Sequence, residues 1–170
     1  MNVPEQYQGA EVPQTLIEAL RGNKTALLMG KAGTGKTRAL WAYAVRLEAR
    51  QQEKRQQGAS IDRLMRYNSL MVPASEIDRR RYDWDYADTL AHFRGLLMLD
   101  DVGYCRGHAT DWQVAAMHHV LSVRLDEGLC TLITTNLDLH DIAEHFTAAI
   151  ASRMSSGAVV CLGGKDWRQE

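Results

Sequence analysis

The stretch GKAGTGKT, residues 30–37, constrains the fold of this chain more than any other part of the sequence. It fits the pattern G-x-x-x-x-G-K-[ST] and lies between an apolar run and a segment with helical periodicity. Glycines in such a loop let backbone N–H groups approach phosphate oxygens, and the start of the following helix adds partial positive charge. The sequence therefore predicts a P-loop that binds nucleotide phosphates through Gly30, Lys31, Ala32, Gly33, Thr34, Gly35, Lys36, Thr37 and Arg38.

Two side chains of this loop have predicted chemistry of their own. The Lys36 ammonium would reach the β- and γ-phosphates, and the Thr37 hydroxyl would be a ligand of Mg²⁺. The expected cofactors are therefore ATP and Mg²⁺. A P-loop alone does not separate motor ATPases from small-molecule kinases.

Five short apolar runs predict strands buried on both faces, because such strands need continuous rather than alternating apolarity. Helical patterns separate the runs, and one of them, DWQVAAMHHVLSVRLDEG, offers Asp111 as its N-cap. This alternation predicts an α/β fold of the P-loop NTPase type, with a five-stranded parallel sheet flanked by helices. The five runs are TALLM (25–29), SLMV (69–72), LLML (96–99), TLITT (131–135) and AVVCL (158–162).

Length and composition set limits on the function. The 170 residues fit one domain over 1–170, in which residues 1–24 lead into the first strand. A net charge of −1 gives no whole-molecule argument for nucleic-acid binding, and no apolar run is long enough for a membrane span, so no membrane partner is expected. The three cysteines match neither a zinc site nor a disulfide framework, which favours a reducing cytoplasm.

Polar residues follow the third and fourth predicted strands. The run LLMLDD ends in two acids, of which Asp100 would hold the Mg²⁺ shell and Asp101 would orient or deprotonate an attacking water. A surface turn in DDVG is the alternative interpretation. The run ending TTN places Asn136 at the same edge of the sheet, where its amide could position water or sense the γ-phosphate. Asparagine is also common at strand-to-helix turns.

These motifs together resemble the AAA+ ATPases of the DnaC/DnaI helicase-loader and IstB transposition-helper group. GKAGTGKT, LLMLDDVG, LITTNL, IASRM and the terminal GGKDWR occur in the order seen in that group, and the opening VPEQYQGA resembles the segment before its P-loop. The similarity covers nearly the whole chain. It implies an ATP-dependent switch that acts as a homo-oligomer on DNA or on a ring-shaped replicative helicase, in the cytoplasm of a bacterial or phage-infected cell.

The resemblance also implies roles for single residues. Asp100 matches the metal-shell acid, Asp101 the catalytic acid and Asn136 the first sensor, while Lys36 and Thr37 match the P-loop lysine and magnesium hydroxyl.

Two arginines are implied to act on the γ-phosphate. Arg153, in IASRM, matches the arginine finger that these proteins lend to the neighbouring subunit. Arg168, in KDWR, loosely resembles the arginine that senses γ-phosphate within its own subunit.

The sequence departs from the family pattern in two places. Many AAA+ proteins have Asp-Glu where this chain has Asp100-Asp101, so the shorter second acid predicts slow hydrolysis. Because the arginine finger is implied to come from the neighbouring subunit, weak ATPase activity is expected without an oligomer, DNA or partner. Helicase loaders usually carry an N-terminal partner-binding domain, whereas here only a short segment precedes the first strand. We expect no C-terminal helical lid domain, as in this family.

Several functions remain open alternatives. The group includes transposition helpers of the IstB type, and a non-hydrolysing adaptor gated by ATP would need the same P-loop. A small P-loop kinase would need an arginine-rich lid, but Arg153 is the only arginine between the fourth and fifth strands. The protein partner could be a replicative helicase, a transposase or another replication protein.

Contact with single-stranded DNA is the remaining open question. The basic residues of 46–66, together with Arg79, Arg80 and Arg81, could follow a phosphate backbone. Neighbouring acidic residues cancel much of the positive electrostatic field of these basic residues, so a solvated charged face is the alternative interpretation.

Overall fold

The computed structural model describes residues 3–104 and 107–163, which form a parallel β-sheet covered by helices on both faces. A 3-10 turn at Glu5–Tyr7 precedes the first helix. The remaining elements are, in chain order, α1 (Gln14–Gly22), β1 (Thr25–Met29), α2 (Lys36–Gln56), α3 (Ile61–Met65), β2 (Ser69–Pro73), α4 (Ala74–Arg79), α5 (Trp84–Ala91), β3 (Leu96–Val102), α6 (Asp111–Asp126), β4 (Thr131–Thr135), α7 (Leu139–His145), α8 (Ala148–Met154) and β5 (Ala158–Cys161).

The five strands are parallel and lie in the order β2-β3-β4-β1-β5. Each predicted apolar run forms one of them, and β1 and β4 have the predicted bounds. All five residues of β4 are buried, as continuous apolarity requires for a strand covered on both faces. The predicted α/β fold with a five-stranded parallel sheet is confirmed.

Two apolar clusters hold the helices to the sheet. On one face, α4 to α8 pack over side chains such as Leu97 and Ile133. On the other face, α1 and α2 pack over side chains such as Leu28 and Met98. Because alternate residues of a strand point to opposite faces, β1 and β3 contribute side chains to both clusters.

The N-cap of α6 differs from the sequence prediction. The capping residue is Thr110, whose hydroxyl accepts from the Gln113 N–H while the Gln113 side chain accepts from the Thr110 N–H. This reciprocal pair satisfies two donors at once, so it prevails over the single cap that Asp111 could provide. Asp111 is instead the first helical residue, where its charge favours the positive end of the helix.

After β5, no helix occurs in the described part of the chain, which ends at residue 163. Arg168 therefore lies outside the described residues. Across residues 3–104 and 107–163, none of the helices is both long enough and apolar enough to cross a membrane.

Candidate functional site

A cleft of about 530 Å³ lies at the carboxyl ends of β1, β4 and β3. The strand order makes these three strands neighbours, so the residues that follow them meet at one edge of the sheet. The lining residues come from the N-terminal segment, the P-loop, the first turn of α2 and the ends of β3 and β4: Gln6, Tyr7, Ala32, Gly33, Gly35, Lys36, Thr37, Arg38, Asp100, Asp101, Thr134 and Asn136.

The glycines of the P-loop allow a backbone path that other residues would resist. Gly33 and Gly35 have φ values of 83° and 86°, in the left-handed region that favours glycine. A Cβ atom at Gly30 would overlap the Leu162 carbonyl oxygen, so this position requires close approach to the segment after β5. The loop therefore has the compact conformation that its phosphate-binding pattern predicts.

The Lys36 side chain joins the P-loop to the end of β4. Its ammonium donates to the carbonyl oxygens of Gly30 and Lys31 at 2.5 and 2.8 Å, and to the Asn136 amide oxygen at 2.7 Å. Lys36 is buried, so these acceptors replace the water that the charge loses. The predicted P-loop lysine and sensor asparagine are thus in direct contact.

Asp100 and Thr37 form the second polar pair of the cleft. The Thr37 hydroxyl lies 3.1 and 3.0 Å from the two Asp100 carboxylate oxygens and donates to that carboxylate. Burial raises the pKa of Asp100 above its usual value, while the hydrogen bonds from Thr134 and Thr37 act in the opposite direction. A desolvated carboxylate beside a hydroxyl is an oxygen-rich donor set of the kind that Mg²⁺ prefers, so these residues fit the expected ion.

Asp101 projects from the end of β3 towards the same cleft. It is exposed, and its φ of 57° is in the left-handed region, where aspartate is one of the few tolerated residues. Its N–H donates to the Thr134 hydroxyl at 2.8 Å, and its carboxylate accepts from the Asn136 amide at 2.7 Å. Asn136 therefore contacts Lys36 through its oxygen and Asp101 through its nitrogen.

Arg153 lies at a different place in the fold. It is in the last turn of α8, and its Nε donates to the Ser122 hydroxyl of α6 at 2.9 Å. Shortly after α8, Gly157 packs so closely on the Thr25 carbonyl, at the amino end of β1, that a Cβ atom there would overlap it. Because β1 advances about 13 Å before the P-loop begins, Arg153 sits near the amino end of the sheet, away from its own cleft.

The sequence analysis did not identify Tyr7 and Gln6 as cleft residues, although their segment was matched to the one preceding the P-loop. The 3-10 turn that contains them packs on α2, where the Tyr7 ring stacks on Trp41 with centroids 6.3 Å apart. The feature of the sequence that could have indicated this position is Tyr7, an aromatic residue within a polar N-terminal segment.

Two further polar residues were missed. Thr134 is buried between the two acids. The feature that could have identified it is a hydroxyl side chain within the apolar run TLITT. Arg124 is buried on α6, where it continues the apolar stripe of Met117, Val120 and Leu121. A cation at the core position of a helical stripe is the signal that could have found it.

The basic cluster after β2 is partly neutralised. Arg80 pairs with Glu76 at 3.1 Å and Asp83 at 3.7 Å, and Arg79 pairs with Glu76 at 3.7 Å. The Arg81 guanidinium lies 5.1 Å from the centre of the exposed Tyr82 ring. The histidines and acids of residues 3–104 and 107–163 do not assemble into a metal-binding group of three or more.

The comparisons with known proteins agree with this architecture. No protein-family model matches the chain, and no curated protein is similar to it in sequence. Among solved structures, a crystal structure of DnaI superposes with a TM-score of 0.66 at 24% identity, over 98% of this chain and 94% of that chain. A crystal structure of the DnaC helicase loader superposes with a TM-score of 0.65 at 18% identity, over 94% of this chain and 100% of that chain.

A solved structure of lower sequence identity has the same fold. The AMPPCP-bound DnaA from Aquifex aeolicus superposes with a TM-score of 0.63 at 16% identity, over 96% of this chain. The chain spans 48% of that DnaA chain. The chain therefore has the fold of the DnaC/DnaI-like AAA+ proteins, and the resemblance expected from the sequence is confirmed at that level.

Proposed function

We propose that this protein binds and hydrolyses ATP as an AAA+ switch of DNA replication, and that it acts as an oligomeric helicase loader. The observation that supports this most strongly is the connection of Lys36, Asn136 and Asp101 by consecutive hydrogen bonds across the cleft. The proposal gives phosphate binding, γ-phosphate sensing and water activation to three residues that are connected by these bonds.

The proposed chemistry follows from the side chains present. Lys36 holds the β- and γ-phosphates, and the P-loop N–H groups surround the remaining phosphate oxygens. The Asp101 carboxylate orients the attacking water and accepts its proton as the water oxygen bonds to the γ-phosphorus. The bond from that phosphorus to the bridging β,γ oxygen breaks, so ADP leaves and inorganic phosphate is formed. Asn136 contacts Asp101 and Lys36 at once, so its position reports on the group bound between them.

Thr37 and Asp100 are the proposed holders of Mg²⁺. When bound, the ion would neutralise charge that develops on the phosphates. The raised pKa of Asp100 fits this role, because a carboxylate desolvated by burial gains more from a nearby cation than an exposed one does.

The catalytic site is proposed to be completed by a second copy of the chain. Arg153 is absent from the described residues that line its own cleft, and it lies near the opposite end of the sheet. Its half-buried guanidinium would then meet the γ-phosphate held by the neighbouring subunit. Arg168 is proposed to sense the γ-phosphate within its own subunit, on sequence resemblance alone.

The proposed partners are a replicative helicase ring and single-stranded DNA. Tyr82 and Trp84 are 68% and 49% exposed, and Arg81 stacks beside Tyr82. Aromatic rings next to an arginine suit base stacking, worth about 1–3 kcal/mol for each base.

Trp84→Ala should therefore weaken binding of an oligodeoxythymidine at low salt, and unchanged affinity would exclude this contact.

Turnover of ATP tests the proposal directly. We expect weak hydrolysis that rises with protein concentration, single-stranded DNA or a captured helicase. Asp101→Asn should keep ATP binding, since its side chain tolerates the same backbone conformation, but should abolish turnover. An unchanged rate in this variant would contradict the assignment.

Two alternatives have distinguishable outcomes. In a non-hydrolysing adaptor, a slowly hydrolysed ATP analogue would support repeated rounds of partner binding and release. In a transposition helper of the IstB type, the ATP-dependent partner retained from a lysate would be a transposase rather than a helicase.

A further inference from the structure

We infer that Thr134 is the residue that positions both acids of the cleft, so that its hydroxyl sets the geometry of hydrolysis through Asp100 and Asp101. This inference rests on the proposed ATPase function. It concerns a buried threonine that the motifs of the sequence leave without a role.

The first observation is a break in the register between β3 and β4. Leu97, Met98 and Leu99 pair with the residues 34 positions later, whereas Val102 pairs with Thr135, which is 33 positions later. One additional residue is therefore present in β3. Asp100 and Asp101 together lie opposite the single residue Thr134, as in a β-bulge.

The bulge explains how two consecutive acids can face one cleft. In a regular strand, neighbouring side chains point to opposite faces of the sheet. Here Asp100 and Asp101 both line the cleft, and Asp101 has the left-handed backbone conformation that the additional residue imposes. Without the bulge, only one of the two carboxylates would face the cleft.

The second observation is that one hydroxyl serves both acids. Thr134 Oγ1 donates to the Asp100 carboxylate at 2.6 Å and accepts from the Asp101 N–H at 2.8 Å. Thr134 is 1% exposed, so water does not compete for these bonds. The β-branched side chain has a restricted χ1 angle, which fixes the hydroxyl between its two partners.

The chemical consequence is a fixed spacing between the metal-shell acid and the catalytic acid. Each acid is held through a different bond, one at the side chain and one at the backbone. Thr134 is therefore a positioning residue that acts through Asp100 and Asp101. Removal of such a supporting hydrogen bond typically lowers activity by about 10–100-fold.

Three variants test this role. Thr134→Val keeps the shape and loses the hydroxyl, Thr134→Ser keeps the hydroxyl, and Thr25→Val makes the same change at a buried threonine at the far end of β1. We expect kcat to fall by about 10–100-fold in Thr134→Val with little change in the KM for ATP. Thr134→Ser and Thr25→Val should stay close to the wild type. Wild-type turnover in Thr134→Val, or equal losses in Thr134→Ser and Thr134→Val, would overturn the inference.

Hydrogen exchange separates this inference from the proposed function. The Asp101 amide should exchange slowly in the wild type and in Thr134→Ser, and faster in Thr134→Val. This readout does not require hydrolysis, so an inactive wild type would reject the ATPase proposal while the exchange rates still decide the role of Thr134. A wild-type Asp101 amide that exchanges as fast as an exposed loop amide would overturn it without any variant.

Discussion

At the amino end of the sheet, the Arg124 guanidinium is buried and donates to five carbonyl oxygens and the Thr131 hydroxyl. At the carboxyl end, the Asp100 carboxylate is partly buried and accepts from only two hydroxyls, those of Thr37 and Thr134, among the described residues. The chain thus satisfies a buried charge fully at one end and incompletely at the other. We interpret the difference as that between a charge that stabilises the fold and one that meets a ligand in the proposed function.

The surroundings of Arg124 explain its structural role. Its acceptors lie at the end of α5, in the loop 92–95 and at the start of β4, so one side chain connects three segments by hydrogen bonds. Burial lowers the pKa of Arg124 to about 10, which still leaves the guanidinium charged at neutral pH. The planar group presents several donors in fixed directions, an arrangement that a lysine could not reproduce.

Arg153 is intermediate between Arg124 and Asp100 in how many of its polar atoms have hydrogen-bond partners. It is half-buried, with its Nε bonded to Ser122 and one terminal nitrogen bonded to the Ala149 carbonyl at 3.2 Å. Its remaining nitrogen has no hydrogen-bond partner among residues 3–104 and 107–163. Arg124 is on α6, and Arg153 on α8 bonds to Ser122 of that same helix, so the two arginines can be compared by identical substitutions.

The largest effect is expected from Arg153→Ala on stimulated turnover. An arginine finger supplied by a neighbouring molecule can contribute roughly 10³- to 10⁵-fold to the rate in related chemistry. We expect loss of the activity that DNA, partner or high concentration induces, with ATP affinity retained, as measured by steady-state turnover and nucleotide titration. Full stimulation in this variant would remove Arg153 from the site.

The next effect is on stability, through Arg124→Met. This change keeps an apolar stem but leaves several buried carbonyl oxygens without donors, each costing about 1–3 kcal/mol. We expect a loss of at least 3 kcal/mol in the free energy of unfolding, roughly 6–12 °C in Tm for a domain of this size.

The matched control is Arg153→Met, measured by the same urea or thermal denaturation. Because Arg153 is only half-buried and two of its three nitrogens bond to the protein, its replacement should cost no more than about 1 kcal/mol. Equal losses in the two variants would contradict the distinction between a structural and a ligand-directed arginine.

The smallest effect is a gain in stability from Asp100→Asn. Because burial raises the pKa of Asp100, the folded protein keeps this proton to higher pH than the unfolded chain does. The stability from this group is therefore complete in acid and is lost as pH rises through the folded-state pKa.

An amide at residue 100 does not ionise, so Asp100→Asn should be more stable than the wild type at neutral pH and equally stable in acid. Urea denaturation of both proteins at neutral and at mildly acidic pH measures this difference. A gain that is equal at both pH values would assign it to packing rather than to the carboxylate charge. Turnover should be lost in either case.

The sequence predicts the sheet and most of the cleft, because both depend on local patterns. Continuous apolar runs define strands such as β4, and the residues after parallel strands must meet at one edge of the sheet. The amino-acid sequence alone is therefore enough to assign the P-loop, Asp100, Asp101 and Asn136 to one site.

The remaining features depend on contacts between distant segments. The β3–β4 bulge is a matter of register, which the composition of β3 alone does not reveal. The six acceptors of Arg124 come from the end of α5, the loop 92–95 and the start of β4, which no periodicity relates. The approach of Tyr7 to the P-loop likewise depends on how the N-terminal turn packs on α2.

The central claim, that two subunits share one ATP site, is tested most directly by mixing two inactive variants. Asp101→Asn has an intact Arg153 but lacks the proposed catalytic acid, and Arg153→Ala has an intact cleft but lacks the proposed arginine finger. After co-assembly is verified by cross-linking, the mixture should recover a clear fraction of the stimulated wild-type turnover, because some interfaces combine the intact halves. Turnover no greater than the sum of the two separate variants would contradict a site completed by the neighbouring subunit.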